Sequence, residues 1–203
     1  MARKSGRPPK NEIGHDSQQK IIDAAVKLIK EIGADNITVR KVCTEAESSI
    51  GTFYHYFRDK DELLMYFIQE LPFKNCELKE NLSNISERII ELYMKLVNRY
   101  MELGLDFMKC FYTSSNSSLK AYMSEIDGKF LDGTVMSRCE EELSKAQVEG
   151  YVKKDLDPHV ITADVCCIVK GCIFDWCLTD GKSELKENIR RILNAYFRYC
   201  ICL

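Results

Sequence analysis

The stretch Ile37-Thr38-Val39-Arg40-Lys41-Val42-Cys43-Thr44-Glu45-Ala46-Glu47-Ser48-Ser49-Ile50-Gly51-Thr52-Phe53-Tyr54-His55-Tyr56-Phe57 decides the fold. Thr38 is a good helix N-cap, because its hydroxyl can accept from the free N–H groups of a first turn. Val39, Val42, Cys43 and Ala46 then recur at helical spacing. Glu47-Ser48-Ser49 interrupts, and Ile50, Phe53, Tyr54 and Phe57 resume the spacing. Two short helices around a tight break predict a helix-turn-helix, in which one helix crosses a nucleic-acid backbone and the next lies in the major groove. The groove admits one helix, so the presenting helix needs one anchored face and one free face. Ala46, Phe53 and Phe57 are the expected anchors. Ser49, Gly51, Thr52, Tyr54, His55 and Tyr56 form the expected free edge, carrying neutral donors and acceptors suited to phosphates and base edges. Arg40 and Lys60 flank it, and the N–H groups at the starts of both short helices are further phosphate donors.

Working outward, an amphipathic helix starts near Asp16-Ser17 with Ile21, Ile22, Ala25, Leu28, Ile29 and Ile32 on one face, and stops at Gly33. A fourth helix begins near Asp59, carries Leu63, Leu64, Phe67 and Ile68, and is bent or ended by Pro72. Residues 1–15, rich in Arg, Lys, Pro and Gly, read as a flexible basic arm suited to lie along a duplex or enter a minor groove. The expected division is therefore 1–15 arm, 16–70 helix-turn-helix domain, and 71–203 a second helical domain. Within the latter, one helix is predicted from Asn84 to about Tyr112, with Asn84 and Glu87 as a capping box. Ser115-Asn116-Ser117-Ser118 reads as a loop, and Leu119 to Gly150 as one or two helices. Asp157-Pro158 opens a helix to Leu178. Asp180-Gly181-Lys182 is a turn, and Ser183 caps a last helix carrying Leu185, Ile189, Ile192, Leu193, Tyr196, Phe197 and Cys200. No internal repeat and no strand is predicted; the fold class is all-α.

Composition supports this reading. Only 4 prolines and 10 glycines interrupt 203 residues, which favours long helices. Net charge is -2, but residues 1–60 hold 11 Lys/Arg against 8 Asp/Glu, while the remainder holds 18 against 23. The amino-terminal portion is thus the plausible partner of a polyanion. The 10 cysteines lack metal-ligand spacing, as in Cys166-Cys167 and Cys200-Ile201-Cys202, and no apolar segment follows the charged start. A cytoplasmic chain with reduced thiols is expected, most of them buried as small hydrophobes. Val160 to Leu178 is the most apolar run, but Asp164, Lys170 and Asp175 interrupt it too often for a membrane span. No Ser/His/Asp set, phosphate loop or HExxH motif stands out. No enzyme activity, cofactor or metal is expected.

Ile37-Thr38-Val39-Arg40-Lys41-Val42, Ile50-Gly51-Thr52-Phe53-Tyr54-His55-Tyr56-Phe57 and Lys60-Asp61-Glu62-Leu63-Leu64 together resemble the amino-terminal domain of TetR/AcrR-type transcriptional regulators. The match covers about residues 17–65. The resemblance implies a homodimeric repressor whose last two helices, about 158–178 and 184–201, build an intersubunit four-helix bundle. A small-molecule effector would enter the middle of each carboxy-terminal domain and release the protein from a palindromic operator. The family's DNA contacts carry over to Arg40, Ser49, Gly51, Thr52, Tyr54, His55 and Lys60. Gly51 and Thr52 would approach bases; Tyr54, His55 and Lys60 would hold phosphates. Two positions depart from the family pattern. Glu47 stands where the turn usually has a small residue, often glycine. Ile50 stands where a basic or polar residue is common, and offers an apolar contact to a thymine methyl in place of a phosphate contact.

The effector side is legible only as composition. Tyr93, Met94, Tyr100, Met101, Phe107, Met108, Phe111, Tyr112, Tyr122, Met123, Phe130, Phe174 and Trp176 could line an apolar pocket. Phe107, Phe111, Tyr112 and Trp176 are the candidate residues, and an apolar or aromatic molecule the candidate effector. Two other readings are a thiol-based redox sensor and a helical ligand-binding module that has lost DNA binding. His15 and His159 receive no role.

Overall fold

Residues 10–33, 36–69, 73–113 and 115–201 are described by the computed structural model, with side chains from Ser17 onward except Gln69. The chain divides into two units, Met1–Phe67 and Ile68–Leu203, so the boundary falls within the fourth helix and not after it.

In the first unit α1 spans Lys10–Ile32 and buries Ile21, Ile22, Ala24, Ala25 and Leu28. It opens earlier than Asp16-Ser17 and takes in residues 10–15 of the expected arm; residues 1–9 lie outside the described residues. Pro8-Pro9 precedes Lys10 in sequence, and proline's fixed φ suits a helix start. Gly14 costs about 1 kcal/mol inside a helix but does not end one. Gly33, at φ 78°, does end α1. Next come α2, Val39–Glu45, α3, Ile50–Tyr56, and α4, Lys60–Gln69. Thr38 caps α2 as expected, its hydroxyl accepting from Lys41 N at 3.2 Å. Helices α1, α2 and α3 pack against one another around Ile37, Val42, Cys43, Phe53 and Phe57. Burying Phe53 fully contributes about 1.5–3 kcal/mol. Pro72 lies outside the described residues.

The second unit is built on α5, Ile85–Leu103, which buries Ile89, Ile90, Tyr93, Leu96, Val97 and Tyr100 and packs against α8 and α10. The single helix expected to Tyr112 is broken at Gly104, whose φ of 91° starts α6, Leu105–Phe111. The expected capping box does not form: Asn84 makes no side-chain cap bond, and Glu87 instead accepts from Arg190 at 2.6 Å and Asn194 at 3.2 Å. Ser117 and Ser118 belong to α7, Ser117–Met123, capped by Asn116, and not to a loop. A two-stranded ribbon, β1 Glu125–Ile126 and β2 Lys129–Phe130, follows α7 within the segment 119–150, expected to hold one or two helices and no strand. Its turn is Asp127-Gly128, with φ of 53° and 70°, a hairpin signal that the absence of flanking alternation concealed.

α8, Val135–Val148, packs on α9, Pro158–Leu178, which packs on α10, Leu185–Cys200. Asp157 caps α9 with proline at its start, as predicted. Ser183 does not cap α10; Glu184 holds that position, and the Ser183 hydroxyl is buried without a partner among the described residues. Between α5 and α8, Glu142 is 1% exposed and pairs with Arg88 at 2.6 Å, Arg138 at 2.9 Å and Lys145 at 3.4 Å. No helix among the described residues is long and apolar enough to cross a membrane.

Candidate nucleic-acid interface

Helix α3 is short and its faces are chemically distinct. Phe53 and Phe57 are buried and lie 5.7 Å apart, while Tyr66 of α4 meets Phe57 edge-on at 6.2 Å. These contacts anchor one face. Ile50 and Tyr54, one turn apart, are 47% and 57% exposed, and Gly51 and His55 are exposed beside them. Tyr56 is half-buried against His55, with ring centroids 4.8 Å apart. Ala46, the third expected anchor, is half-buried as the C-cap of α2.

The turn before α3 is held internally. Ser49 caps the helix, its hydroxyl accepting from Thr52 N at 2.9 Å and lying 2.8 Å from the Thr52 hydroxyl. The two aliphatic hydroxyls expected on the free edge are therefore engaged with one another. Ser48 N donates to Cys43 O at 2.8 Å, closing the turn, and Glu47 takes the left-handed conformation at φ 49°. The sequence departure at Glu47 thus sits where glycine would be unstrained.

Gly51 behaves differently. It lies inside α3 with ordinary helical φ, and a Cβ added there would meet only the Ser49 hydroxyl, at an ordinary 3.7 Å. Glycine costs about 1 kcal/mol relative to alanine in a helix, and no contact within the described residues requires it.

Flanking elements border the candidate interface. Arg40 is exposed on α2, and Lys60 is half-buried as the first residue of α4. Lys27 of α1 pairs with Glu45 of α2 at 2.6 Å, fixing α2 and neutralising one carboxylate of that helix. Glu62 N donates to Asp59 at 2.8 Å, and Arg58 N to Glu62 at 2.5 Å, a reciprocal box that sets the start of α4. Burial of Asp59 opposes its ionisation, but the bonds from Glu62 N and Arg58 hold its carboxyl below the usual value. These positioning pairs were not singled out in the sequence, although Asp59…Glu62 carries the capping-box spacing.

In the second unit, the four candidate pocket residues separate. Phe107 and Phe111 stack on each other at 5.7 Å and are core residues, 1% and 0% exposed. Trp176 is also buried, close to Gly181. Only Tyr112 of the four lines an open groove of about 480 Å³, shared with Thr113, Leu119, Met123, Phe174 and the stems of Lys120 and Lys170. Met123 and Phe174 belonged to the aromatic and methionine set; Leu119 and the lysine stems carried no signal. The described cysteines are free thiols, and burial pushes Cys139 up to about 12 and Cys166 up to about 11.

Residues 21–66 match the family described as bacterial regulatory proteins, tetR family. The HTH-type nicotine-responsive transcriptional repressor HdnoR of Paenarthrobacter nicotinovorans is 22% identical over 192 residues, covering 89% of this chain and 94% of that protein. The fatty acid metabolism regulator protein of Bacillus subtilis is 23% identical over 180 residues, covering 82% and 86%. Among solved structures, NalD, the secondary repressor of the MexAB-OprM multidrug efflux pump in Pseudomonas aeruginosa, superposes with a TM-score of 0.60 at 14% identity, over 92% of this chain and 97% of that one. The anchored α3 behind its Ser49-capped turn and these matches agree: residues 21–66 form a tetR-family helix-turn-helix domain of a transcriptional regulator, and the second unit shares the mostly helical fold of solved TetR-family structures.

Proposed function

We propose that this regulator is a homodimeric cytoplasmic repressor that grips a palindromic operator through α3 and is released by a small-molecule effector held in its second unit. The observation that carries the DNA-contact assignment is Gly51. A glycine in the first turn of α3, with no contact among the described residues to explain it and on the exposed face between Ile50 and Tyr54, has its reason outside the chain: a surface that approaches the helix backbone closely. Duplex DNA supplies that surface, with Gly51 and Ile50 towards bases and Arg40, Tyr54, His55 and Lys60 towards phosphates. Ser49 and Thr52 act first on each other. Residues 1–15 extend the basic contact.

Support for the dimer lies on α9. Val160, Asp164, Cys167, Gly171, Phe174 and Leu178 are all exposed at alternating spacings of three and four, and Val160, Phe174 and Leu178 are 53%, 53% and 67% exposed. Tyr199 adds a further exposed ring on α10, at 63%. Such a stripe along a helix is the seam of a helical bundle, and a second copy presents the same stripe in return. An effector that binds best to the state with mis-spaced recognition helices shifts the population off DNA, and operator DNA weakens effector binding by the same factor. The groove beside Tyr112 is apolar, as an apolar or aromatic effector requires. The redox reading fares worse, since burial raises the Cys139 and Cys166 pKa values and suppresses their thiolates.

The test is a gel shift of the full chain on the DNA upstream of its own gene, with wild type beside Gly51→Ala. The expected result is specific binding by wild type and at least about tenfold weaker binding by Gly51→Ala, while its thermal stability holds or rises by about 0.5–1 kcal/mol. Failure of wild type to bind at low salt would sink the reading. Equal binding by the two proteins would remove Gly51 from the interface.

A further inference from the structure

Three phenol hydroxyls inside the second unit, those of Tyr93, Tyr100 and Tyr112, are buried with no nitrogen or oxygen partner among the described residues, Tyr93 lying against the Cys139 thiol. Tyr93 and Tyr100 are 1% and 0% exposed. They stand two turns apart on one face of α5, and Tyr112 caps the end of α6 with its ring 6.4 Å from that of Tyr100. Tyr122 of α7 completes the group, and all four phenols lie close enough to the Cys166 thiol of α9 to interact with it electrostatically. Leaving a buried hydroxyl unpaired forfeits its hydration without return, and native interiors hold few such groups. Converging tyrosines with unmet hydrogen-bonding capacity are therefore unexpected of a core built for stability alone. Phenylalanine would fill the same space without that cost.

The cluster also adjoins an opening. Tyr112 both contacts Tyr100 and lines the groove of about 480 Å³ between α7 and α9, so one side chain separates the groove from the interior phenols. Leu119, Met123 and Phe174 give the groove its apolar wall, and Lys120 and Lys170 bring the only charges on its lining. No carboxylate pairs with either lysine among the described residues, and burial pushes the phenols up, Tyr122 to about 12, so that they remain protonated donors.

We propose that the effector is a small molecule with an apolar or aromatic body and an oxygen acceptor, a carbonyl or a carboxylate, that takes hydrogen bonds from Tyr100 and Tyr112. A phenol proton needs an acceptor, and the neighbouring Cys166 sulfur is only a weak one. A purely apolar effector would leave these hydroxyls unmet. The body lies against Leu119, Met123 and Phe174, and a carboxylate head gains Lys120 and Lys170 in addition. This inference rests on the second unit being an effector domain, but it fixes the chemistry of what that domain takes.

Two measurements on the full chain, neither using DNA, test it. The first is thermal unfolding of Tyr100→Phe and Tyr112→Phe. Removing an unmet hydroxyl leaves the melting temperature unchanged or raises it by about 2–4 °C. A clear fall in both variants means that the hydroxyls are satisfied structural groups, and overturns the proposal. The second is titration with 2-acetylnaphthalene, 2-naphthoate and 2-ethylnaphthalene, followed by the fluorescence of Trp176, the single tryptophan of the chain. The ketone or the carboxylate binds at least about fivefold tighter than the hydrocarbon, and the Tyr100→Phe, Tyr112→Phe double variant loses that preference. An advantage of naphthoate over the ketone that disappears in Lys120→Ala, Lys170→Ala identifies a carboxylate head. Equal binding of all three probes, or binding of none, overturns the proposal. A protein that fails the gel shift yet passes both tests would lose its operator reading and keep this one.

Discussion

At the residue scale the interface turns on positions 47 and 50. Ile50 is 47% exposed at the start of α3, one turn before Tyr54, while the neighbouring Ser49 and Thr52 hydroxyls are engaged with each other. Readout at this edge is therefore expected to be apolar, and a thymine C5-methyl is the apolar feature of the major groove. Replacing one facing thymine by uracil removes a single methyl, worth about 0.8 kcal/mol when buried. Operator binding by wild type should weaken about two- to fivefold, whereas Ile50→Ser should bind the two DNAs alike; a uracil scan without any sensitive position would discard the contact. Glu47, at φ 49°, is strained for a side-chain-bearing residue and places a carboxylate near the proposed phosphates. Glu47→Gly should gain about 0.5–1 kcal/mol in chemical denaturation and bind operator more tightly at low salt. The anchors Phe53 and Phe57 and the cap Thr38 were legible because period and capping are local rules. The Ser49–Thr52 pairing was not, since it depends on which rotamer each hydroxyl adopts.

At the element scale the amino-terminal helices followed the sequence closely, and the errors gathered in the second unit. Asn84 and Glu87 have capping-box spacing, yet Glu87 is drawn to Arg190 and Asn194, more than a hundred residues away. Local spacing gave no warning of that tertiary competitor. Gly104 was read through because apolar positions continue on both sides of it, although its φ of 91° ends α5. The junction of α5 with α8 makes a further prediction. Glu142 is buried among Arg88, Arg138 and Lys145, a set spread over 58 residues that no motif announced. Burial works to raise its pKa, but Arg88 above all, with Arg138 and Lys145, holds it below the usual glutamate value. The folded-state pKa is thus depressed, and its stabilising contribution is present above the unfolded value of about 4.3 and is lost as pH falls below it. Glu142→Gln leaves two half-buried arginines without their counter-charge and should cost about 3–5 kcal/mol near neutral pH. The deficit relative to wild type should shrink on acidification. A variant equally destabilised from pH 7 to pH 3.5 would assign the loss to packing and not to charge.

At the scale of the whole molecule, one copy of α3 is a small reader. A single seven-residue helix with Ile50, Gly51 and Tyr54 at its edge spans only a few base pairs, too little for a unique site. A second copy joined through the exposed α9 stripe doubles the site and makes the second half-site contact intramolecular, which is worth about 10²–10⁴ in apparent affinity. Operator affinity should therefore depend on residues far from any DNA contact in sequence. Phe174 and Leu178, 53% and 67% exposed, lie on that stripe and outside the buried core of their own unit. The double variant Phe174→Glu, Leu178→Glu should leave the helical signal and its unfolding intact while placing like charges across the seam. Sedimentation velocity should then give the mass of one chain where wild type gives two, and operator affinity should fall by at least about a hundredfold. The two readouts must move together: a monomeric variant that still binds a full palindrome with wild-type affinity would show that dimerisation uses another surface or that the operator is read by one copy. Because Phe174 also lines the groove beside Tyr112, a ligand seated there lies against the same α9 surface that is proposed to meet the partner. Effector chemistry and subunit contact would then share a helix, which gives the release from DNA a physical route within the second unit.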